Sequence, residues 1–300
     1  MQKISGVVPA IGTPLTPDER VDEAGLRRLA RYQVNAGVHG FLVNGSMGGF
    51  AYLEADEQIR AIETVVAEVN GRVPVIGGLG EMGTVRAIRM AKRIAASGAS
   101  HLSMLPPYYF HASQPQLIAY FSDIAAAVDL PLFVYDNPAM TKSKIQPATI
   151  AELRRRIPKL VGMKESDQDC INLQQVLHLM RDDGGFSVLT GSEFLFHAGL
   201  QLGCDGGVGG LYNLAPHAAV RLYDAFVAGD QGRAAQLQRE LVEAWQVFAS
   251  GGIWGGYDEA LRYLGICETA AGAPYRTALT EEERGRVRAI VDRYIKPYLT

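Results

Sequence analysis

The chain has few cysteines and histidines, and their spacing predicts no metal site. Its 300 residues include three cysteines and six histidines. Cys170, Cys204 and Cys267 are odd in number and belong to no C-x-x-C pair, which indicates reduced thiols and not a disulfide framework. The histidines show neither H-x-H nor H-E-x-x-H spacing.

The chain also lacks a charge excess, a long apolar run and a leader segment. The formal net charge is −3, and no face-wide run of Lys and Arg occurs, so we expect no nucleic-acid or membrane partner. No apolar run reaches 18 residues, and the first 14 residues show no signal-peptide pattern. We therefore expect a cytoplasmic protein.

Lysine is scarce, with seven lysines beside twenty-two arginines. One of them, Lys164, ends the apolar segment LVGMKESD at 160–167. Burying a cation is costly unless it is paired, or unless it gives up its proton to do chemistry. This lysine is therefore the first candidate functional residue.

Short apolar runs alternate with segments of helical period along most of the chain. Eight runs have the length and flanking Gly or Pro of strands. Where three of the helices end, Gly37, Gly98 and Gly203 are expected in the left-handed conformation. Eight βα units predict a (β/α)8 TIM barrel at residues 1–228, with a doubly wound open sheet as the alternative. Residues 229–300 show only helical patterns and predict a C-terminal helical extension.

In a barrel, the chemistry lies where strands end and loops begin. Strand six ends at Lys164 and strand five at Tyr135, while strand two runs into the Gly-rich loop that carries Ser46. Strand four runs into Tyr108 and Tyr109. These residues are therefore expected at one rim.

That rim fits chemistry on a keto acid. A lysine in a barrel mouth of low dielectric gives up its proton more readily than one in water, and it can then form a Schiff base with a keto carbon. Tyrosine and serine hydroxyls can relay the protons. Backbone N–H groups of 45–48 can hold the substrate carboxylate.

With these motifs in order, the sequence resembles the dihydrodipicolinate synthase and N-acetylneuraminate lyase superfamily of class I aldolases. One motif, YDNPAMT, corresponds to a family pattern Y-N-V-P-x-R-T. The motifs that carry the resemblance are GSMGG at 45–49, PYYF at 107–110, YDNPAMT at 135–141, VGMKES at 161–166, TGSE at 190–193 and GCDGGVGGLYN at 203–213.

The resemblance implies roles for individual residues. Lys164 corresponds to the Schiff-base lysine, Tyr135 to the tyrosine that relays protons at the imine, and Ser46 to the relay hydroxyl. Tyr109 corresponds to a relay tyrosine that family tetramers lend across a subunit interface. The implied substrate-binding residues are Gly45, Ser46, Met47, Met140, Gly191 and Val208. The resemblance also implies a small 2-keto acid as substrate, a covalent imine on Lys164 with no cofactor, and a homotetramer or homodimer.

Three departures bear on the substrate. Where the family synthase has threonine, glutamate and arginine, this chain has Met47, Gly49 and Met140. That arginine grips the carboxylate of aspartate semialdehyde through a bidentate fork, which methionine cannot form. The sequence therefore predicts a Schiff-base aldolase, lyase or dehydratase acting on pyruvate or a related 2-keto acid, with a second substrate half less polar than that of the synthase.

Alternative functions stay open at this point. The first is an authentic 4-hydroxy-tetrahydrodipicolinate synthase that condenses pyruvate with aspartate semialdehyde. The second is a non-catalytic barrel that binds a metabolite, and the third is a nicotinamide enzyme that uses the G-x-G-x-x-G match at 78–83. No acid between Glu81 and Asp123 is placed to hold a ribose, so those glycines are better explained by a tight turn.

Overall fold

A computed structural model describes residues 3–299, in which eight strands alternate with helices along the chain. All eight strands lie within the segments that the sequence predicts. The strands are β1 Gly6–Pro9, β2 Phe41–Val43, β3 Val75–Leu79, β4 His101–Met104, β5 Leu132–Asp136, β6 Leu160–Glu165, β7 Ser187–Thr190 and β8 Gly206–Gly209.

The helices also follow the predicted segments, with one short addition after β5. That addition is Pro138–Thr141, where a proline begins the helix and Lys142 ends it in the left-handed conformation. The helices are α1 Glu23–Asn35, α2 Ala55–Val69, α3 Thr84–Ala96, α4 Gln114–Ala127, α5 Pro138–Thr141, α6 Pro147–Arg156, α7 Cys170–Met180, α8 Phe196–Leu202, α9 Pro216–Val227, α10 Gln231–Trp245, α11 Gly252–Tyr263 and α12 Glu281–Tyr294.

The strands form one closed parallel ring in the order β1-β8-β7-β6-β5-β4-β3-β2. A parallel bridge between Ala10 and Leu42 joins β1 to β2 and completes the ring. This closure confirms the barrel and rules out the open sheet. As predicted, Gly37, Gly98 and Gly203 have positive φ angles, of 85°, 87° and 109°.

A local irregularity in β6 decides which of its side chains face the interior. Phe133 of β5 pairs with Gly162, and Val161 is the extra residue. Val161 packs inside the ring beside Phe133, whereas Met163 packs in the layer between strands and helices. Lys164 therefore points into the barrel, as the alternation of the last β6 residues predicts.

The last three helices pack on one side of the barrel. Helix α10 lies against α9, and α12 contacts both α10 and α11. These helices form the predicted C-terminal extension. No helix within residues 3–299 is long and apolar enough to span a bilayer.

Candidate active site

Lys164 and Tyr135 lie side by side where β6 and β5 end. They are register partners, and both side chains are buried, with 6% of each residue exposed. Lys164 Nζ lies 4.1 Å from the centroid of the Tyr135 ring. This spacing places the amine against the face of an aromatic ring, within the distance of a cation–π contact.

No carboxylate within residues 3–299 lies within 4.0 Å of the Lys164 amine. The nearest acids along the two strands, Asp136 and Glu165, point outward and pair with Lys144. The outward orientation of Glu165 agrees with the alternation in β6. The amine is therefore inside the ring and not neutralised by an acid, as the chemistry inferred from the sequence requires.

The Tyr135 hydroxyl is the centre of a small polar group. It lies 3.5 Å from Ser46 Oγ, and Asn137 Nδ2 donates to it at 2.9 Å. Burial by itself raises the pKa of Tyr135, but the charge of Lys164 and the hydroxyls of Ser46 and Ser166 bring that pKa below its ordinary value. A phenol with a lowered pKa beside an amine is well suited to carry protons.

Two residues of this group were missed by the sequence interpretation. Asn137 is a common turn residue, so its position before Pro138 gave no sign of a contact with Tyr135. Ser166 Oγ is buried and has no hydrogen-bond partner in the described chain. A Cβ atom on Gly191 would lie 1.9 Å from this oxygen, so glycine there leaves the space that the Ser166 hydroxyl occupies.

The loop after β2 offers few free backbone donors. The N–H groups of Gly48 and Gly49 close turns onto the carbonyls of Gly45 and Ser46. Those of Gly45, Ser46 and Met47 make no hydrogen bond within the described residues, so they and the Ser46 hydroxyl are the donors available to an anion. Of the N–H groups that the sequence interpretation assigned to this task, Gly48 is already used.

The same loop explains the glycines of the turn at 78–83. A Cβ atom on Gly78 would lie 2.4 Å from the Asn44 carbonyl oxygen, and one on Gly80 would lie 2.1 Å from Phe50 Cε2. Both glycines therefore let the loops after β2 and β3 approach closely. This packing supports the tight-turn interpretation over a dinucleotide site.

The two tyrosines after β4 have different surroundings. Tyr108 packs with Phe50, Leu105 and Tyr135, and its ring meets Phe50 edge-on. Tyr109 is 66% exposed. Within one chain, therefore, Tyr108 and not Tyr109 contacts the cluster around Tyr135.

The other predicted binding residues are spread around the mouth. Val208 is buried inside the ring, and Met47 is half-buried against the interior cluster. The Met47 sulfur would lie 3.2 Å from a Cβ atom on Gly210. Met140, on α5, is 63% exposed. Its position at the rim leaves its side chain open to solvent in the single chain.

The histidines do not gather at this site. His39 Nδ1 accepts a hydrogen bond from the Val7 N–H, and burial lowers the pKa of His101 to about 4. Both stand at the opposite end of the barrel, and His111 is exposed. Residues 3–299 contain no group of three or more His, Cys, Asp or Glu placed to hold a metal ion.

Comparison with known proteins gives one family. A model of the dihydrodipicolinate synthetase family matches residues 3–294. The chain is 36% identical over 241 residues to a 4-hydroxy-tetrahydrodipicolinate synthase of Methanopyrus kandleri, which covers 80% of each chain. It is 30% identical over 274 residues to an N-acetylneuraminate lyase of Rhizobium meliloti, covering 91% of this chain and 90% of that enzyme.

A solved structure agrees with the same grouping. YagE of E. coli K12, a prophage protein of the dihydrodipicolinic acid synthase family crystallised with pyruvate, superimposes with a TM-score of 0.90. The two share 27% sequence identity, over 97% of this chain and 98% of YagE. The likeness therefore extends over the barrel and the C-terminal helices.

Proposed function

This chain belongs to the dihydrodipicolinate synthetase family and is a lyase, and from that premise we propose that it forms a Schiff base between Lys164 and pyruvate or a related 2-keto acid. The observation that carries the proposal is the Lys164 amine, which lies inside the barrel 4.1 Å from the centre of the Tyr135 ring, with no carboxylate against it. The pyruvate bound to YagE supports the same substrate class.

The covalent steps use the side chains of Lys164, Tyr135 and Ser46. The neutral amine of Lys164 adds to the keto carbon, and loss of the former carbonyl oxygen as water leaves an iminium. The iminium draws electrons from the neighbouring carbon, so a proton or a carbon substituent can depart from that carbon or join it. Tyr135, with Ser46 at 3.5 Å, gives a proton to the departing oxygen and accepts one from the substrate carbon. No cofactor takes part in these steps.

The substrate carboxylate fits the loop after β2. The Ser46 and Met47 N–H groups and the Ser46 hydroxyl are free to hold an anion there, beside the lysine. Gly45 and Gly191 are proposed to lie beside the bound acid, with Val208 below it in the ring.

We infer that the compound that reacts with the bound keto acid is not aspartate semialdehyde. Met47 and Met140 are apolar, and Gly49 cannot provide a carboxylate. The relatives include both a synthase and a sugar-acid lyase, which is consistent with a shared first half and a variable second half.

Borohydride trapping tests the proposal. Incubation with pyruvate and borohydride is expected to add one reduced pyruvyl group to the peptide that contains Lys164. The Lys164→Arg variant should take no label, whereas Lys142→Arg, which changes a surface lysine near the mouth, should label normally. Absence of label across pyruvate and 2-keto-3-deoxy acids would overturn the proposal and favour a binding barrel.

The Methanopyrus relative makes authentic synthesis the second candidate. This candidate would be supported if the protein, in the presence of pyruvate, consumed aspartate semialdehyde as fast as it consumes the best aldehyde found among those tested.

We also propose that the chain works as a homotetramer or homodimer in which Tyr109 completes the relay of a neighbouring copy. Its 66% exposure in the single chain supports this assignment. Tyr109→Phe and Lys164→Arg should each be inactive, and co-expression of the two should restore activity because one hybrid site is intact. A monomer by light scattering, with full activity in Tyr109→Phe, would overturn it.

A further inference from the structure

The geometry points to Asn137 as a positioning residue that sets the direction in which Tyr135 gives up its proton. This inference rests on the proposed function and deepens it. Asn137 Nδ2 donates to the Tyr135 hydroxyl at 2.9 Å, and only 8% of Asn137 is exposed. The family pattern that YDNPAMT resembles has valine at this place, and a valine side chain could not donate this bond.

The amide group removes one of the directions in which the phenol could give its proton. An amide nitrogen only donates, so the Tyr135 oxygen takes the role of acceptor in this bond. Its own hydrogen must then point elsewhere, and Ser46 Oγ, at 3.5 Å, is a hydroxyl that can accept it. The same donor stabilises the phenolate after the proton has left.

Asn137 does not cap the helix that follows it with its side chain. It precedes α5, where asparagine commonly caps the first turn through its side chain, yet here the side chain makes no capping bond. Its backbone carbonyl instead accepts from Met140 N and Thr141 N and from the Thr141 hydroxyl. The side chain is therefore available to Tyr135.

The backbone around Asn137 is firmly held. The buried Thr141 hydroxyl also bonds to the Ser143 carbonyl, and Ser143 Oγ accepts from Ala112 N in the loop after β4. A side chain on so well supported a backbone loses little further freedom when it bonds to Tyr135. The contact is thus preformed before substrate arrives.

Other ionisable groups near Tyr135 could also affect the pH dependence of exchange. Lys164 faces it from β6 and Tyr108 packs beside it from the loop after β4. A cluster of Asp136, Glu165 and Asp167 with Lys144 lies behind the strands. None of these groups changes in an Asn137 variant, so a change in the pH dependence can be assigned to the lost donor.

The test measures exchange of the pyruvate methyl protons with deuterium by NMR, as a function of pH, beside borohydride trapping. Exchange needs only the imine and the proton relay, so the second substrate can stay unidentified. In Asn137→Val, we expect normal trapping and exchange slowed about tenfold at neutral pH. The midpoint of the plot of exchange rate against pH should rise by about one pH unit, the usual effect of losing one donor to a charged oxygen. Asn137→Asp, which has the same shape but cannot donate when ionised, should raise the midpoint further, and Asn137→Gln should restore part of the rate.

The two failures can be told apart. An unmodified protein that neither traps nor exchanges pyruvate overturns the proposed function and this inference with it. Normal trapping with an unmoved pH profile in Asn137→Val and Asn137→Asp overturns the role of Asn137 alone. Should Asn137→Val be poorly folded by thermal melting, the Asp and Gln variants decide the question: the pH profile of Asn137→Asp must then be displaced from that of the unmodified protein by more than the profile of Asn137→Gln, and equal profiles overturn the role of Asn137.

Discussion

Lys144 Nζ lies 2.8 Å from Asp136 Oδ2, on the outer side of the strand that carries Tyr135 on its inner side. The same ammonium lies 3.2 Å from Glu165 Oε2 and 3.0 Å from Asp167 Oδ2. Asp136 and Glu165 are register partners. Lys144 therefore ties the ends of β5 and β6 together from outside, and the carboxylates that could neutralise the barrel amine are occupied there.

Loss of that ammonium should be costly. In Lys144→Met, the carboxylates of Asp136 and Glu165 would be left buried without their partner, which costs about 3 kcal/mol of unfolding free energy. Lys142→Met is the matched control, because Lys142 is exposed and lies in the same connection. Urea unfolding at pH 8 checks this; equal stability of the two variants would contradict the role given to Lys144.

Glu165 should give the fold a pH dependence of its own. Burial, with the nearby charge of Asp136, raises the pKa of Glu165 to about 7, although Lys144 opposes the shift. The folded protein therefore holds this proton more tightly than the unfolded chain. Its stabilising contribution is complete below the unfolded value of 4.5 and is lost as pH rises through about 7.

The measurement is the free energy of unfolding between pH 4.5 and 7.5. Glu165→Gln should remove a downward slope of about 1.4 kcal/mol per pH unit, the value for one proton. Glu152→Gln, at a surface carboxylate paired with Arg155 and Arg156, should leave that slope in place. A slope unchanged in Glu165→Gln would show that another group titrates.

The sequence predicted the parts of the site that follow from regular structure. Lys164 and Tyr135 could be placed because strand ends of a parallel barrel meet at one rim and alternation separates Lys164 from Glu165. Asn137 and Lys144 lie in the connection after β5, whose course depends on a four-residue helix and a left-handed residue. Connections of this kind have no period from which side-chain partners can be inferred. Tyr108 and Tyr109 are adjacent and of one type, so only the fold distinguishes which contacts Tyr135.

At position 49, where the family synthase has glutamate, the local structure of this chain favours glycine. Gly49 has φ 71°, and a Cβ atom there would lie 2.2 Å from Tyr52 Cζ. Gly71 has nearly the same φ, 73°, but nothing within 4 Å of its Cβ position. A comparison of these two glycines therefore separates the cost of backbone strain from the cost of a steric clash.

Alanine substitutions at these two glycines should therefore differ. In Gly71→Ala, the only cost is that of holding alanine in the left-handed conformation, so this variant should lose about 1 kcal/mol of unfolding free energy. Gly49→Ala must also displace Tyr52 and should lose about 3 kcal/mol. Thermal or urea melts give both values, and equal losses would mean that Tyr52 moves aside freely, in which case a larger residue at position 49 is tolerated.

Met140 offers a test of what the second half of the site accepts. If its rim position faces the incoming aldehyde, Met140→Arg supplies a guanidinium fork that can pair with the carboxylate of aspartate semialdehyde. We expect kcat/KM for condensation of pyruvate with this aldehyde to rise about tenfold, the effect of 1.4 kcal/mol. Met140→Lys adds the same charge without the fork and should give a smaller gain. Equal gains would indicate simple charge attraction, and no gain in either variant would place Met140 away from the aldehyde.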